Sequence, residues 1–112
     1  MGINCFTDLW TVLDLVHDRW FDLEQVSFDQ QHGSVCICLG EKRSGPYRDR
    51  LLKITGVLAM EIRDEAKIGQ YDLSDIEIDS SSSSIRIKSG FPFEIRLKMA
   101  ENGSVSVLKF PN

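Results

Sequence analysis

The chain has 112 residues, 42% of them hydrophobic and 27% charged, the proportions of an ordinary globular domain. One domain spanning 1–112 is expected at that size, with enough burial for a core that needs no disulfide or metal staple. With 13 basic against 17 acidic residues the net charge is −4, which argues against nucleic acid as a partner.

The placement of charge says more than its sum. Residues 1–30 hold Asp8, Asp14, Asp18, Asp22, Glu24 and Asp29 against Arg19 alone, whereas residues 41–53 hold five bases against Glu41 and Asp49. An acidic end favours a basic partner and a basic loop an anionic one, although solvated surface explains either stretch. Three cysteines and no secretory leader point to reduced thiols in the cytoplasm. No apolar run approaches the ~20 residues that cross a bilayer, so no membrane partner is expected.

Asn4 is placed to cap a helix from about Cys5 to about Asp18, because its side-chain oxygen can accept from a first-turn amide. Phe6, Leu9, Leu13, Val16 and Trp20 recur at steps of three and four and give that helix an apolar stripe. Leu23 to Asp29 reads as a strand. Gln30-Gln31-His32-Gly33 supplies a turn, and Ser34 to Gly40 returns with Val-Cys-Ile-Cys-Leu, apolar on both faces and therefore inside the sheet. Glu41 to Arg50, with Ser44-Gly45-Pro46, is a loop.

Leu51 to Arg63 is the longest strand and the one the rest packs on. Leu52, Ile54, Leu58, Met60 and Ile62 alternate with Lys53, Thr55, Glu61 and Arg63, the period of a strand with one face on a core. Gly56 interrupts the alternation and hints at a bulge or a close backbone approach. Tyr71 to Asp79 follows as a strand. The serine run Ser80 to Ser84 makes a hairpin tip, Ile85 and Ile87 return, and Phe91, Phe93, Ile95, Leu97 and Met99 alternate cleanly. Glu101-Asn102-Gly103 is the strongest turn signal, since Asn-Gly suits a type I′ turn, and Ser104 to Phe110 closes the sheet. The expected fold is α+β: an N-terminal helix packed on a curved antiparallel sheet of about seven meander strands.

Chemistry is sparse. Cys36 and Cys38 share a strand face, but zinc pairs leave two or more residues between cysteines and no second pair exists. His17 is the sole plausible general base, no Gly-x-Ser-x-Gly elbow is present, and no glycine-rich loop precedes a helix. The chain therefore reads as non-enzymatic, without metal or cofactor. Trp10, Trp20, Phe21 and Tyr71 are candidate anchors for a partner if exposed, with Trp20 and Phe21 equally suited to plugging the helix–sheet junction.

The order of elements carries a resemblance. It runs from His17-Asp18 through Val26-Ser27-Phe28-Asp29, Val35-Cys36-Ile37-Cys38-Leu39 and Leu52-Lys53-Ile54-Thr55-Gly56-Val57 to Ile76-Glu77-Ile78 and Ile85-Arg86-Ile87-Lys88-Ser89-Gly90. This pattern, over about residues 17–99, resembles the small β-rich bacterial proteins that include immunity-protein-like families of polymorphic toxin systems. The resemblance implies a cytoplasmic protein whose work is to bind another protein. Asp14, Asp18, Asp22 and Glu24 are then the expected acidic contact surface for a basic partner. An alternative is a small-ligand pocket between helix and sheet, with Arg48, Arg50 and Lys53 at its mouth to meet an anion. A third is a structural homodimer through a sheet edge.

Overall fold

The computed structural model describes residues 16–79 and 81–109. Alternating β-rich sequence from Trp20 onward forms eight strands: β1 (Trp20–Asp22), β2 (Ser27–Asp29), β3 (Ser34–Leu39), β4 (Arg50–Asp64), β5 (Gln70–Asp72), β6 (Asp75–Asp79), β7 (Ser84–Lys88) and β8 (Phe93–Lys109). Six of them make one antiparallel sheet in the order β2-β3-β4-β8-β7-β6, and β1 pairs with β5. The sheet is thus two local meanders, β2-β3-β4 and β6-β7-β8, joined along the long β4/β8 ribbon. A single meander would have placed β8 at an edge.

The α+β expectation is corrected. The helix expected from about Cys5 to about Asp18 falls mostly on residues 1–15, outside the described residues. Of its described end, Val16 is helical, and the chain turns straight after it, with Arg19 donating its N–H to the Val16 carbonyl at 3.0 Å and Asp18 at φ 64°. Beyond Val16, the one helical element among the described residues is a 3-10 turn, Leu23–Gln25. Among the described residues the apolar face is covered by strands and by Val16. Val35, Ile37 and Leu39 of β3 share one buried cluster with Ile85 and Ile87 of β7 and Phe93, Ile95 and Leu97 of β8. The curved sheet packs its two halves around a common core, each large aliphatic side chain contributing roughly 1.5–3 kcal/mol by burial.

Short hydrogen-bonded links draw the ends of the sheet together. Trp20 and Gly40, just past β3, exchange backbone bonds of 2.8 Å in both directions. The Leu73 N–H donates to the Arg19 carbonyl at 2.7 Å and the Ser74 N–H to the Lys88 carbonyl at 2.8 Å. β1 and β5 therefore span from the end of β3 to the end of β7. Their inward side chains fill the gap with aromatic rings: Tyr71 stacks on Phe93 at 3.9 Å between centroids, and Phe21 tilts against Phe93 at 5.7 Å.

β4 bends where Gly56 lies. Thr55 pairs with Ser104, Val57 with Met99 and Ala59 with Lys98, so the register shifts twice within five residues. Gly56 stands at φ 76° in the left-handed region, as its expected role at a bulge requires. The first shift turns Val57 into the core at 3% exposure and leaves Leu58 outside at 58%, reversing the side expected for both. The expected type I′ turn at Glu101-Asn102-Gly103 is overridden as well. Residues 100–103 are the extra length that β8 carries opposite Gly56, and the two strands expected on either side of it are one. Both hairpin tips touch the bend: Val57 donates to the Gly33 carbonyl and Met99 to the Ser83 carbonyl, each at 2.8 Å. Leu23 to Asp29, expected as a strand, is interrupted because the Asp22 carboxylate accepts from the Glu24 N–H at 2.9 Å and caps the 3-10 turn. β3 lies inside the sheet, as its two apolar faces required.

Candidate functional site

Half-exposed aromatic rings and an exposed arginine gather at a corner where β1, β5, the 41–49 loop and the β7–β8 turn meet. Period two places Phe21 and Tyr71 inward, so Trp20, Asp22, Gln70 and Asp72 face out in register, Trp20 opposite Asp72 and Asp22 opposite Gln70. Asp72 accepts from the Ser89 hydroxyl at 2.7 Å and from the Gly90 N–H at 3.2 Å, which holds the turn that presents Phe91. Trp20 and Phe91, both half-buried, lie 6.2 Å apart between ring centroids. Across them reaches the exposed Arg43, whose guanidinium carbon is 5.8 Å from the Trp20 ring centre and 5.6 Å from that of Phe91. Such a cation is attracted to both ring faces by about 0.5–1 kcal/mol each where water has access.

The loop that carries Arg43 is fastened at several points. The Tyr47 hydroxyl donates to the Arg43 carbonyl. Partial burial pushes the Tyr47 phenol up from its ordinary pKa, the negative charge of Asp22 adds to this, and Arg43 opposes it. Arg19 donates from Nε to Asp49 Oδ2 at 2.6 Å, and Arg50 donates to Asp49 Oδ1 at 3.0 Å, tying the loop's end to the start of β1. The corner therefore offers two aromatic faces, one arginine and a carboxylate rim on a backbone held by hydrogen bonds.

Of the expected acidic surface, Asp14 lies outside the described residues. Asp18 and Glu24 are exposed, and Asp22 divides its oxygens between the Glu24 N–H and the Gln70 side-chain amide at 3.4 Å. Asp22, in β1, and Glu24, in the 3-10 turn, thus lie at the edge of the aromatic corner. The anion-binding set does not converge. Arg50 is held by Asp49, Arg48 lines a shallow depression of the loop with Lys42 and Pro46, and Lys53 lies mid-strand opposite Cys36 and Ser106. Among the candidate anchors Phe21 and Tyr71 are buried, Trp10 lies outside the described residues, and Trp20 alone stays half-exposed. Arg43, Phe91 and Asp72 were not singled out by the sequence; their assembly depends on pairings between segments far apart in the chain, which no local pattern records.

A second feature is an open groove of about 1130 Å³ on the outer face of β6, β7, β8 and β4. Charges run along and beside it and largely answer one another: Glu77 binds Arg86 at 2.8 Å and the neighbouring Lys88 at 3.5 Å, and the neighbouring Glu94 binds Arg96 at 2.8 Å. This is a solvated polar face rather than the apolar interior pocket that the ligand reading expects. Among the described residues no three His, Cys, Asp or Glu side chains are placed to hold a metal ion, and no helix is long and apolar enough to cross a membrane. No protein-family model, curated protein or solved structure matches the chain.

Proposed function

We propose that the protein is a non-enzymatic binding module that recognises another protein through the Trp20–Arg43–Phe91 corner. The observation that carries this reading is the pair of half-exposed aromatic rings bridged by an arginine on a fastened loop. Tryptophan and arginine are the residue types that dominate binding hot spots, and here they are held in place before any partner arrives, which reduces the ordering cost of association. The carboxylates of Asp22, Asp72, Glu24 and Asp18 around and near the corner favour a partner with basic residues flanking an apolar anchor. Its action is then to occupy a functional surface of that partner, as an immunity-like protein does in the cytoplasm.

The test uses the tagged full chain as bait in lysate of its source cell, beside the variants Trp20→Ala and Arg43→Glu and the distant control Leu58→Ser. A stoichiometric partner retained by the control and lost from both corner variants is the expected result. Loss of affinity on the order of 2 kcal/mol, about 30-fold, is the scale of a hot-spot truncation. Equal retention by all four proteins, with the variants folded by circular dichroism, would remove this reading.

A further inference from the structure

β4 has two neighbours along only part of its length. Residues Arg50–Thr55 lie between β3 and β8, but β3 ends at the Ser34–Thr55 pair, and among the described residues nothing pairs with the far side of residues 58–64. Alternation assigns the free groups. Met99 donates its N–H to Ser83, so Met99, Leu97 and Ile95 turn their backbone polar groups toward β7. Lys98, Arg96 and Glu94 then face β4, where they meet Ala59, Glu61 and Arg63. Met60, Ile62 and Asp64 accordingly direct N–H and C=O to the open side.

This edge lacks the usual protection. It carries no proline or lysine, its one core-side charge, Asp64 opposite Phe93, is engaged by the Tyr71 hydroxyl, and it holds Leu58 and Ile62, two of the three large apolar side chains exposed among the described residues. Its charges are also self-complementary. An antiparallel copy centred on Ile62 sets Glu61 opposite the partner's Arg63 and Arg63 opposite the partner's Glu61. Ile62 meets its own mate as a pair exchanging both backbone bonds. Centring on Glu61 would oppose two like charges. Centring on Met60 would drive the partner strand into the β2–β3 turn, whose Gly33 carbonyl already takes the Val57 N–H.

We propose that two copies of this chain associate through residues 60–64 of β4, antiparallel about Ile62. The sheets of the two copies become continuous, and each assembly presents two aromatic corners. This inference is independent of what the corner binds.

The test is sedimentation equilibrium of the full chain from about 10 µM to about 1 mM, a range that brackets weak to moderate self-association. Wild type is expected to dimerise. Glu61→Arg alone and Arg63→Glu alone each oppose like charges twice, and each is expected to weaken dimerisation at least about tenfold. Mixing the two variants pairs arginine at position 61 of one with glutamate at position 63 of the other, and the second contact is restored as well, so the mixture is expected to dimerise again. That rescue distinguishes the interface from a merely structural role of either charge. Ile62→Pro removes the outward N–H without touching the ladder to β8 and serves where a charge variant fails to fold; it is expected to be monomeric. A wild-type monomer at the highest concentration, dimers indifferent to both reversals, or no rescue on mixing would each overturn the proposal.

Discussion

Gly33→Ala tests whether the bend of β4 is set by contact with the β2–β3 hairpin tip. Gly33 stands at φ +64°, and a Cβ built there lies 2.9 Å from the Val57 carbonyl oxygen. The left-handed backbone costs a residue with a Cβ about 1–2 kcal/mol. Restricting the unfolded chain returns about 0.4–1 kcal/mol of that. The contact is with backbone, so one strand has to move, and overpacking of this kind costs roughly 1–3 kcal/mol more. The motion also strains the 2.8 Å bond from the Val57 N–H to the Gly33 carbonyl. The expected loss is therefore about 2–4 kcal/mol, a fall of roughly 1–2 M in the urea midpoint. Gly69 supplies the control: it stands at φ +86° with nothing within 4 Å of its built Cβ. Gly69→Ala bears the backbone cost alone, about 1 kcal/mol or less. Equal midpoint shifts for the two variants would show that the hairpin tip does not press on the bend, and the reasoning would fail.

Asp79 Oδ1 accepts from the Ser81 hydroxyl at 2.6 Å and from the Ser81 N–H at 3.0 Å, which holds its carboxyl below the ordinary aspartate pKa. What this turn adds to stability is fully present above the unfolded value and is lost as pH falls through the lower folded one. An NMR titration should find Asp79 low and Ser81→Ala moving it up; an ordinary value in the wild type would contradict the geometry. Burial, and then Cys36 beside it, push the Cys38 thiol up, with Arg48 opposing. Timed alkylation read by mass spectrometry should show Cys38 reacting more slowly than a free cysteine at neutral pH, and slower still in Arg48→Ala. Reaction at the free rate would count against that environment.

The sequence made the strands legible where one period held without interruption. The alternation of Phe93, Ile95, Leu97 and Met99 and the double-faced apolarity of β3 translate directly into burial and sheet position. Gly56 announced a bulge, but not that the register would shift twice and exchange the environments of Val57 and Leu58. Asn102-Gly103 shows the opposite case: a strong local turn preference lost to the β4/β8 pairing on both sides of it. The candidate site was legible only in Trp20, Asp22 and Glu24. Arg43 and Phe91 join them through the closure of β1 between β3 and β5, a tertiary event that leaves no spacing in the chain.

The joining of two meanders along β4 and β8 also dictates how the chain must reach this state. β2-β3-β4 and β6-β7-β8 each close through hairpins of short reach, whereas Arg50 has to find Lys109, and Leu52 has to find Val107, across about half the chain. Loop-closure entropy is lost before that ribbon returns any contact, so docking of two preformed units sets the folding rate and places it in the slower range of small β proteins. Substitutions within either meander, whose contacts precede docking, should therefore slow folding, as should those along β4/β8 that form in the docking step.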